Sequence, residues 1–127
     1  MTKATVKITA ILAALILLVG AAFHMTGIVP VKVVLEDAEP AFYKNALAGM
    51  WVMPAMHWIF IAFLSAGLSW YKSKACAAIL IAFGVWIITD ALIVFLHVGP
   101  FMGVYMLGIS GLLLLISGVL LRNAVKV

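Results

Sequence analysis

The chain has 127 residues, of which 68% are hydrophobic and only 9% are charged. Ordinary soluble domains are roughly 45 to 50% apolar and about 25% charged, so a water-soluble globular fold is excluded. The formal net charge is +4, but no basic cluster with interleaved aromatics lies outside the apolar segments, so no nucleic-acid partner is expected. The single cysteine, Cys76, cannot form an internal disulfide.

Four apolar segments are long enough to cross a bilayer, which takes about 20 helical residues. Between the first two lies a longer connection, residues 29–45, in which Pro40 follows acidic residues and is typical of the first turn of a helix. The other connections are short, so consecutive helices are expected to be antiparallel. The fold class is predicted as all-α, a single domain over residues 1–127 that forms an up-down-up-down membrane four-helix bundle. The predicted spans are 7–28, 46–69, 75–97 and 101–121.

Lysine and arginine residues are distributed unequally between the two ends of these spans. Lys32 and Lys44 lie on the side of the connection 29–45, together with most of the acidic residues. By the positive-inside rule, the opposite side with more basic residues is cytoplasmic. The N and C termini are therefore predicted in the cytoplasm, and residues 29–45 outside it, in a plasma membrane of the bacterial inner-membrane type. The basic residues on the cytoplasmic side are Lys3, Lys7, Lys72, Lys74, Arg122 and Lys126.

Small residues recur every seven positions in all four spans. Lipid provides no hydrophobic drive for helix association, so helices approach closely where small residues face each other, and a seven-residue period predicts left-handed crossing. In the second span this stripe lies well over 100° from His57 around the helix axis, so the two faces are expected to serve different contacts. The stripes are Ala13, Gly20 and Gly27; Ala48, Ala55, Ala62 and Ser69; Ala77, Gly84 and Ala91; Gly103, Ser110 and Ser117.

His57 and Asp90 are the ionisable residues deepest inside the predicted spans. An aspartate at the centre of a membrane helix costs about 2.5 to 3.5 kcal/mol, so such residues usually face the bundle interior and pair. At about 1.5 Å per residue, the predicted depths of the two differ by about one helical turn, which allows a hydrogen bond, direct or through water. Pro54 lies one turn before His57 and cannot donate to the carbonyl of Met50.

Two interpretations of these residues remain open. The functional one is a proton-sensitive or ligand-binding site in the outer half of the bundle, lined by Trp51, Met53, His57, Asp90 and Tyr105. The structural one is that His57 and Asp90 satisfy each other, or neighbouring polar groups, and fix the register of the helices.

Metal or haem binding is a further alternative. Thioether and imidazole ligands suit Cu(I), and His24, His57, His97, Met50 and Met53 all fall in the predicted outer half. Haem b needs two axial ligands that face one cavity, which His24 and His97 at similar depth could supply. Methionine is also an ordinary filler of apolar gaps, so the cofactor stays open between copper, haem b and none.

No hydrolase, metalloprotease or phosphate-loop motif occurs in the sequence, which counts against a self-sufficient hydrolase or ATPase. An intramembrane isomerase that uses a His/Asp acid-base pair stays open, and a role without catalysis is favoured. The predicted function is that of a small integral membrane accessory or oligomeric subunit with a His57/Asp90 site. Its expected partners are the lipid bilayer and either further copies of the chain or other membrane subunits. The alternative is a minimal proton-coupled transporter of a small substrate, or a Cu(I) or haem redox carrier.

Overall fold

The computed structural model describes residues 3–36 and 41–125, with the side chains of residues 41 and 43 outside this description. The predicted helix start at Pro40 and the basic residue Lys126 lie outside the described residues. The described chain forms five helices, which are α1 (Lys3–Thr26), α2 (Ile28–Val34), α3 (Ala41–Leu68), α4 (Lys74–Val98) and α5 (Met102–Val125).

Four helical stretches are long and apolar enough to cross a membrane. They are α1 together with α2 (Lys3–Val34), most of α3 (Lys44–Leu68), α4 and α5. This confirms the predicted all-α class and the four spans, and it indicates an integral membrane protein. The helices extend a few residues beyond most of the predicted limits.

The short helix α2 occupies residues predicted as part of the connection 29–45. Pro30 has no N–H, so the carbonyl of Thr26 loses its α-helical partner. The chain tightens at this point: the N–H of Gly27 donates to the carbonyl of His24 over 3.1 Å, and the N–H of Val31 then donates to Gly27 over 3.2 Å. The proline therefore interrupts the first helix for one residue without ending it.

The short connections carry local stop and start signals. Before α4, the hydroxyl of Ser73 accepts a hydrogen bond from the N–H of Ala75 over 3.1 Å, as an N-cap residue does. After α4, Gly99 adopts φ 92° and donates its N–H to the carbonyl of Phe95. Only glycine adopts this left-handed region without strain, so the turn between α4 and α5 depends on it.

The long helices do not pack equally against one another. α4 packs most extensively on α5, α5 also packs on α1, and α1 packs on α3. α3 and α4 follow each other in the chain but touch only lightly. We call the line along which they meet the α3/α4 seam and define it by His57, Trp58, Trp86 and Asp90.

The predicted stripes of small residues lie in these contacts. Ala13, Ala55 and Ala77 are completely buried, and Gly84 is buried in α4. On α5 the closest approach to α4 is made by Gly111 and Gly118, one residue beyond the predicted Ser110 and Ser117. A Cβ atom added at Gly118 would lie 2.8 Å from the backbone nitrogen of Ile81. Ser117 has another use, since its hydroxyl donates to the carbonyl of Val6 in α1 over 3.0 Å.

Candidate functional site

His57 and Asp90 are in direct contact across the α3/α4 seam. Nε2 of His57 lies 2.9 Å from Oδ2 of Asp90, and Nε1 of Trp58 donates to the same oxygen over 3.1 Å. An indole N–H only donates and a carboxylate oxygen only accepts. With Asp90 ionised, Oδ2 accepts two hydrogen bonds and Nε2 of His57 carries a hydrogen.

The pair lies near the middle of the apolar helices. His57 is one residue past the midpoint of the apolar part of α3, which runs from Lys44 to Leu68. Asp90 is four residues past the midpoint of α4.

Neither side chain is fully enclosed by the chain itself. The side chain of His57 is 35% exposed and that of Asp90 is 21% exposed. Within residues 3–36 and 41–125, Nδ1 of His57 and Oδ1 of Asp90 have no hydrogen-bond partner. In the described ranges, the seam therefore presents one unpaired nitrogen and one unpaired oxygen near the middle of two apolar helices.

Trp86 is the seam residue that lies beside the pair on the exposed surface of the bundle. It is at the midpoint of α4, 55% exposed, and its ring centroid is 6.0 Å from that of His57. Tryptophan in membrane proteins is enriched at the two bilayer interfaces, where its N–H can meet polar groups. Trp86 is exposed at mid-span next to a polar pair, and tryptophan at such a position would be unusual if the surface faced lipid.

A second cluster joins α1 to α3. The rings of His24 and Trp51 stack with centroids 4.5 Å apart and planes 12° from parallel. Nε2 of His24 lies 2.8 Å from the carbonyl oxygen of Trp51, and Nε1 of Trp51 donates to the carbonyl of His24 over 3.2 Å. The two residues thus hold each other by a reciprocal pair of hydrogen bonds, while Trp58 meets His24 edge-on at 5.2 Å.

Gly27 makes room for this cluster. A Cβ atom at Gly27 would lie 2.6 Å from Cζ2 of Trp51, so only glycine lets that indole lie against the end of α1. Pro54 is inside α3 and cannot donate to the carbonyl of Met50, which is next to the Trp51 carbonyl that His24 reaches.

A cavity of about 410 Å³ opens beside this second cluster. We call it the His24 cavity. Its walls come from α1, α3, α4 and α5 and from the turn before α5, and they are apolar except for His24 and Thr26. Trp58 lies in the wall and also bonds Asp90. Other wall residues include Phe23, His24, Trp51, Val94 and Phe101.

The structure divides the predicted pocket between two places. Trp51 lies in the wall of the His24 cavity, whereas His57 and Asp90 meet at the seam. Met53 and Tyr105 are exposed, and among the described residues they neither line the cavity nor bond the pair. The functional role of all five residues stays a prediction.

The predicted metal and haem ligands lie in separate surroundings. Nε2 of His24 faces the carbonyl of Trp51, and Nδ1 of His97 lies 2.8 Å from the carbonyl of Ile93, one turn earlier on the same helix. Met50 and Met53 are exposed. In the described ranges, no group of three His, Cys, Asp or Glu side chains is placed to hold a metal ion. Copper and haem b stay predictions.

Sequence reasoning missed Trp58 as a partner of Asp90. Trp58 follows His57 directly, and neighbouring helical residues point about 100° apart, so helical spacing alone does not direct both side chains toward one carboxylate. The indole ring is long enough to bridge that angle, and Trp58 is buried beside the cavity while His57 lies farther out. A buried tryptophan usually finds a partner for its N–H, which is the signal that could have identified it.

Comparisons with known proteins assign no family to this arrangement. No protein-family model matches the chain, and neither the search of curated proteins nor that of solved structures returns a significant match.

Proposed function

We propose that the protein is an integral membrane subunit whose α3/α4 seam is covered by a second copy of the chain or by another membrane subunit. The observation that carries this proposal is the partly exposed His57–Asp90 pair at the middle of two apolar helices.

The physical reason is the low polarity of the bilayer centre. A polar group in hydrocarbon that lacks a hydrogen-bond partner costs several kcal/mol. Nδ1 of His57 and Oδ1 of Asp90 would be in that position if the seam faced lipid. A protein partner that supplies one donor and one acceptor removes the penalty, and the neighbouring Trp86 offers the kind of aromatic surface that is enriched in protein contacts.

We further infer an up-down-up-down topology with both termini on the cytoplasmic side of the plasma membrane. The His24 cavity brings together the C-terminal part of α1, the N-terminal part of α3, the end of α4 and the start of α5. Toward the other ends, Lys7 of α1 lies 3.5 Å from the ring centroid of Trp70, just after α3. The excess of lysine and arginine beside those ends supports a cytoplasmic position for them.

Cysteine labelling tests the topology. In a Cys76→Ser background, Lys72→Cys and Glu36→Cys place single thiols at exposed positions beyond the apolar spans, on opposite predicted sides. A membrane-impermeant maleimide added to intact cells is expected to label Glu36→Cys and not Lys72→Cys until the cells are opened. Labelling of Lys72→Cys alone in intact cells would contradict this orientation.

Photocross-linking tests the proposed contact in native membranes. Benzoylphenylalanine is introduced in place of Trp86 at the seam or, as a control, in place of Leu112, which is equally exposed but lies on α5. We expect irradiation to produce a protein adduct from position 86 only, with a mass that identifies a second copy or another subunit. Lipid adducts alone at position 86 would show that the seam faces the bilayer.

Proton-coupled transport is the second candidate, because a histidine in direct contact with an aspartate at mid-membrane can hold and release a proton. The test is the decay of a pH gradient across liposomes that contain the purified protein. Decay that Asp90→Asn abolishes would favour transport, and a gradient as stable as in empty liposomes would count against it.

A further inference from the structure

We propose that the His24 cavity binds a lipophilic planar ring compound that carries a hydroxyl group, of the phenol type, and that this ligand enters from the bilayer. The site is separate from the His57–Asp90 pair, with Trp58 between the two.

The size and the walls of the cavity favour a ring. An apolar cavity of about 150 Å³ can hold benzene, and ligand pockets typically start at about 300 Å³. The cavity of about 410 Å³ therefore has room for a substituted ring. Four aromatic side chains line it, which are Phe23, Trp51, Trp58 and Phe101. Aromatic rings pair favourably by offset stacking or edge-to-face contact, and saturated acyl chains gain none of this.

The hydroxyl follows from the hydrogen bonds of His24. Nε2 lies 2.8 Å from the carbonyl oxygen of Trp51, and a carbonyl oxygen only accepts, so Nε2 carries the hydrogen. In the neutral ring the other nitrogen, Nδ1, is then an acceptor. Nδ1 has no partner in the part of the chain that the structure describes. A ligand hydroxyl would provide the missing donor, while a carbonyl or an ether would not.

The route of entry follows from the rim. Phe23, Met50 and Val98 contribute to the cavity and are all exposed on the surface of the bundle. Where no protein partner covers them, exposed apolar side chains of membrane-spanning helices lie against lipid. The cavity is therefore open to molecules already dissolved in the bilayer.

Tryptophan quenching tests the proposal. The four tryptophans of the chain are 51, 58, 70 and 86, so the Trp70→Phe, Trp86→Phe protein keeps only the two reporters in the cavity wall. The probe is 4-bromophenol, whose bromine quenches a tryptophan in contact with it, and bromobenzene is the matched probe without a hydroxyl. We expect saturable quenching by 4-bromophenol, and binding of bromobenzene weaker by about fivefold or more because it leaves Nδ1 without a donor.

Two matched variants show whether the quenching comes from the cavity. Val94→Phe fills it from α4, and Val85→Phe makes the same change on the exposed face of that helix. We expect loss of saturable quenching with Val94→Phe only. Gly20→Leu is an independent filler if Val94→Phe does not fold, because a Cβ at Gly20 meets only Cε of Met106, at 3.9 Å.

Four results would overturn the proposal. Quenching that rises without saturation would mean partition into the detergent. Equal quenching in Val94→Phe and Val85→Phe would place the probe outside the cavity, and equal binding of bromobenzene would remove the role of the hydroxyl. In nanodiscs, quenching by lipids with brominated acyl chains that 4-bromophenol cannot displace would identify an acyl chain as the occupant.

Discussion

A Cβ atom added at Gly84 would lie 2.9 Å from the carbonyl oxygen of Gly111, and one added at Gly111 would lie 3.0 Å from the carbonyl oxygen of Gly84. The backbones of α4 and α5 are thus in contact with no side chain between them. Such close approach increases van der Waals contact, which is a main source of helix association in lipid.

Gly84→Ala should therefore separate α4 from α5. The new methyl group would lie 2.7 Å from the backbone nitrogen of Leu115, and backbone cannot move aside as a flexible side chain can. We expect a loss of about 1 to 3 kcal/mol in the free energy of unfolding, measured by titration with sodium dodecyl sulfate in mixed micelles. Gly108→Ala is the control, since a Cβ there meets nothing within 4 Å, and it should be neutral or stabilising. Equal losses in both variants would contradict this packing.

The two hydrogen bonds to Asp90 make a second prediction. Asp90→Leu leaves the N–H groups of Trp58 and His57 without an acceptor, and Trp58 is buried. We expect a loss of about 1 to 3 kcal/mol in the free energy of unfolding. Asp90→Asn keeps an acceptor oxygen and should lose less. A leucine variant as stable as the wild type would mean that the bonds do not stabilise the seam.

Two buried serines are predicted to respond with opposite signs. The hydroxyl of Ser65 is completely buried and has no hydrogen-bond partner in the described ranges, so Ser65→Ala should raise the free energy of unfolding by about 1 kcal/mol. Ser117→Ala removes the bond to Val6 between α5 and α1 and should lower it by about 0.6 kcal/mol. The same detergent titration measures both, and a decrease with Ser65→Ala would reveal a partner for that hydroxyl.

His24→Phe separates stacking from hydrogen bonding at the junction of α1 and α3. A phenyl ring can still stack on Trp51, but it cannot donate to the carbonyl of that residue. We expect a loss of about 0.6 to 1.7 kcal/mol, the range for hydrogen bonds between membrane helices, and a changed emission maximum of Trp51. His97→Phe is the control because His97 is exposed and bonds within its own helix. A larger effect of His97→Phe would contradict the assignment.

The number of spans and the burial of small residues could be predicted because both depend on local composition and on helical periodicity. The contact of His57 with Asp90 could be anticipated from depth along the helices and from the penalty for an unpaired aspartate. The rotation of each helix about its own axis in the bundle cannot be read from local composition or periodicity. The roles of Trp58 and Gly111 depend on this rotation, since each lies one residue from the position that the pattern singled out.

The His24 cavity lay beyond prediction for a related reason. It depends on how residues of four helices come together around Gly27, where the first helix is interrupted. The sequence contained the relevant residues, including Pro54. However, the position of a proline in a helix does not indicate which side chain from another helix will pack beside it. Only the packed structure shows that His24 and Trp51 meet there.

The tightest and the loosest contacts of the bundle lie on the two sides of α4. Because glycine contacts lock α4 to α5, the two helices should move as one rigid body, and α3 is the element against which they can shift. In the described part of the chain, both hydrogen bonds between α3 and α4 end on one atom, Oδ2 of Asp90. Every hydrogen bond that would break on separating α3 from α4 there is therefore accepted by a single oxygen atom.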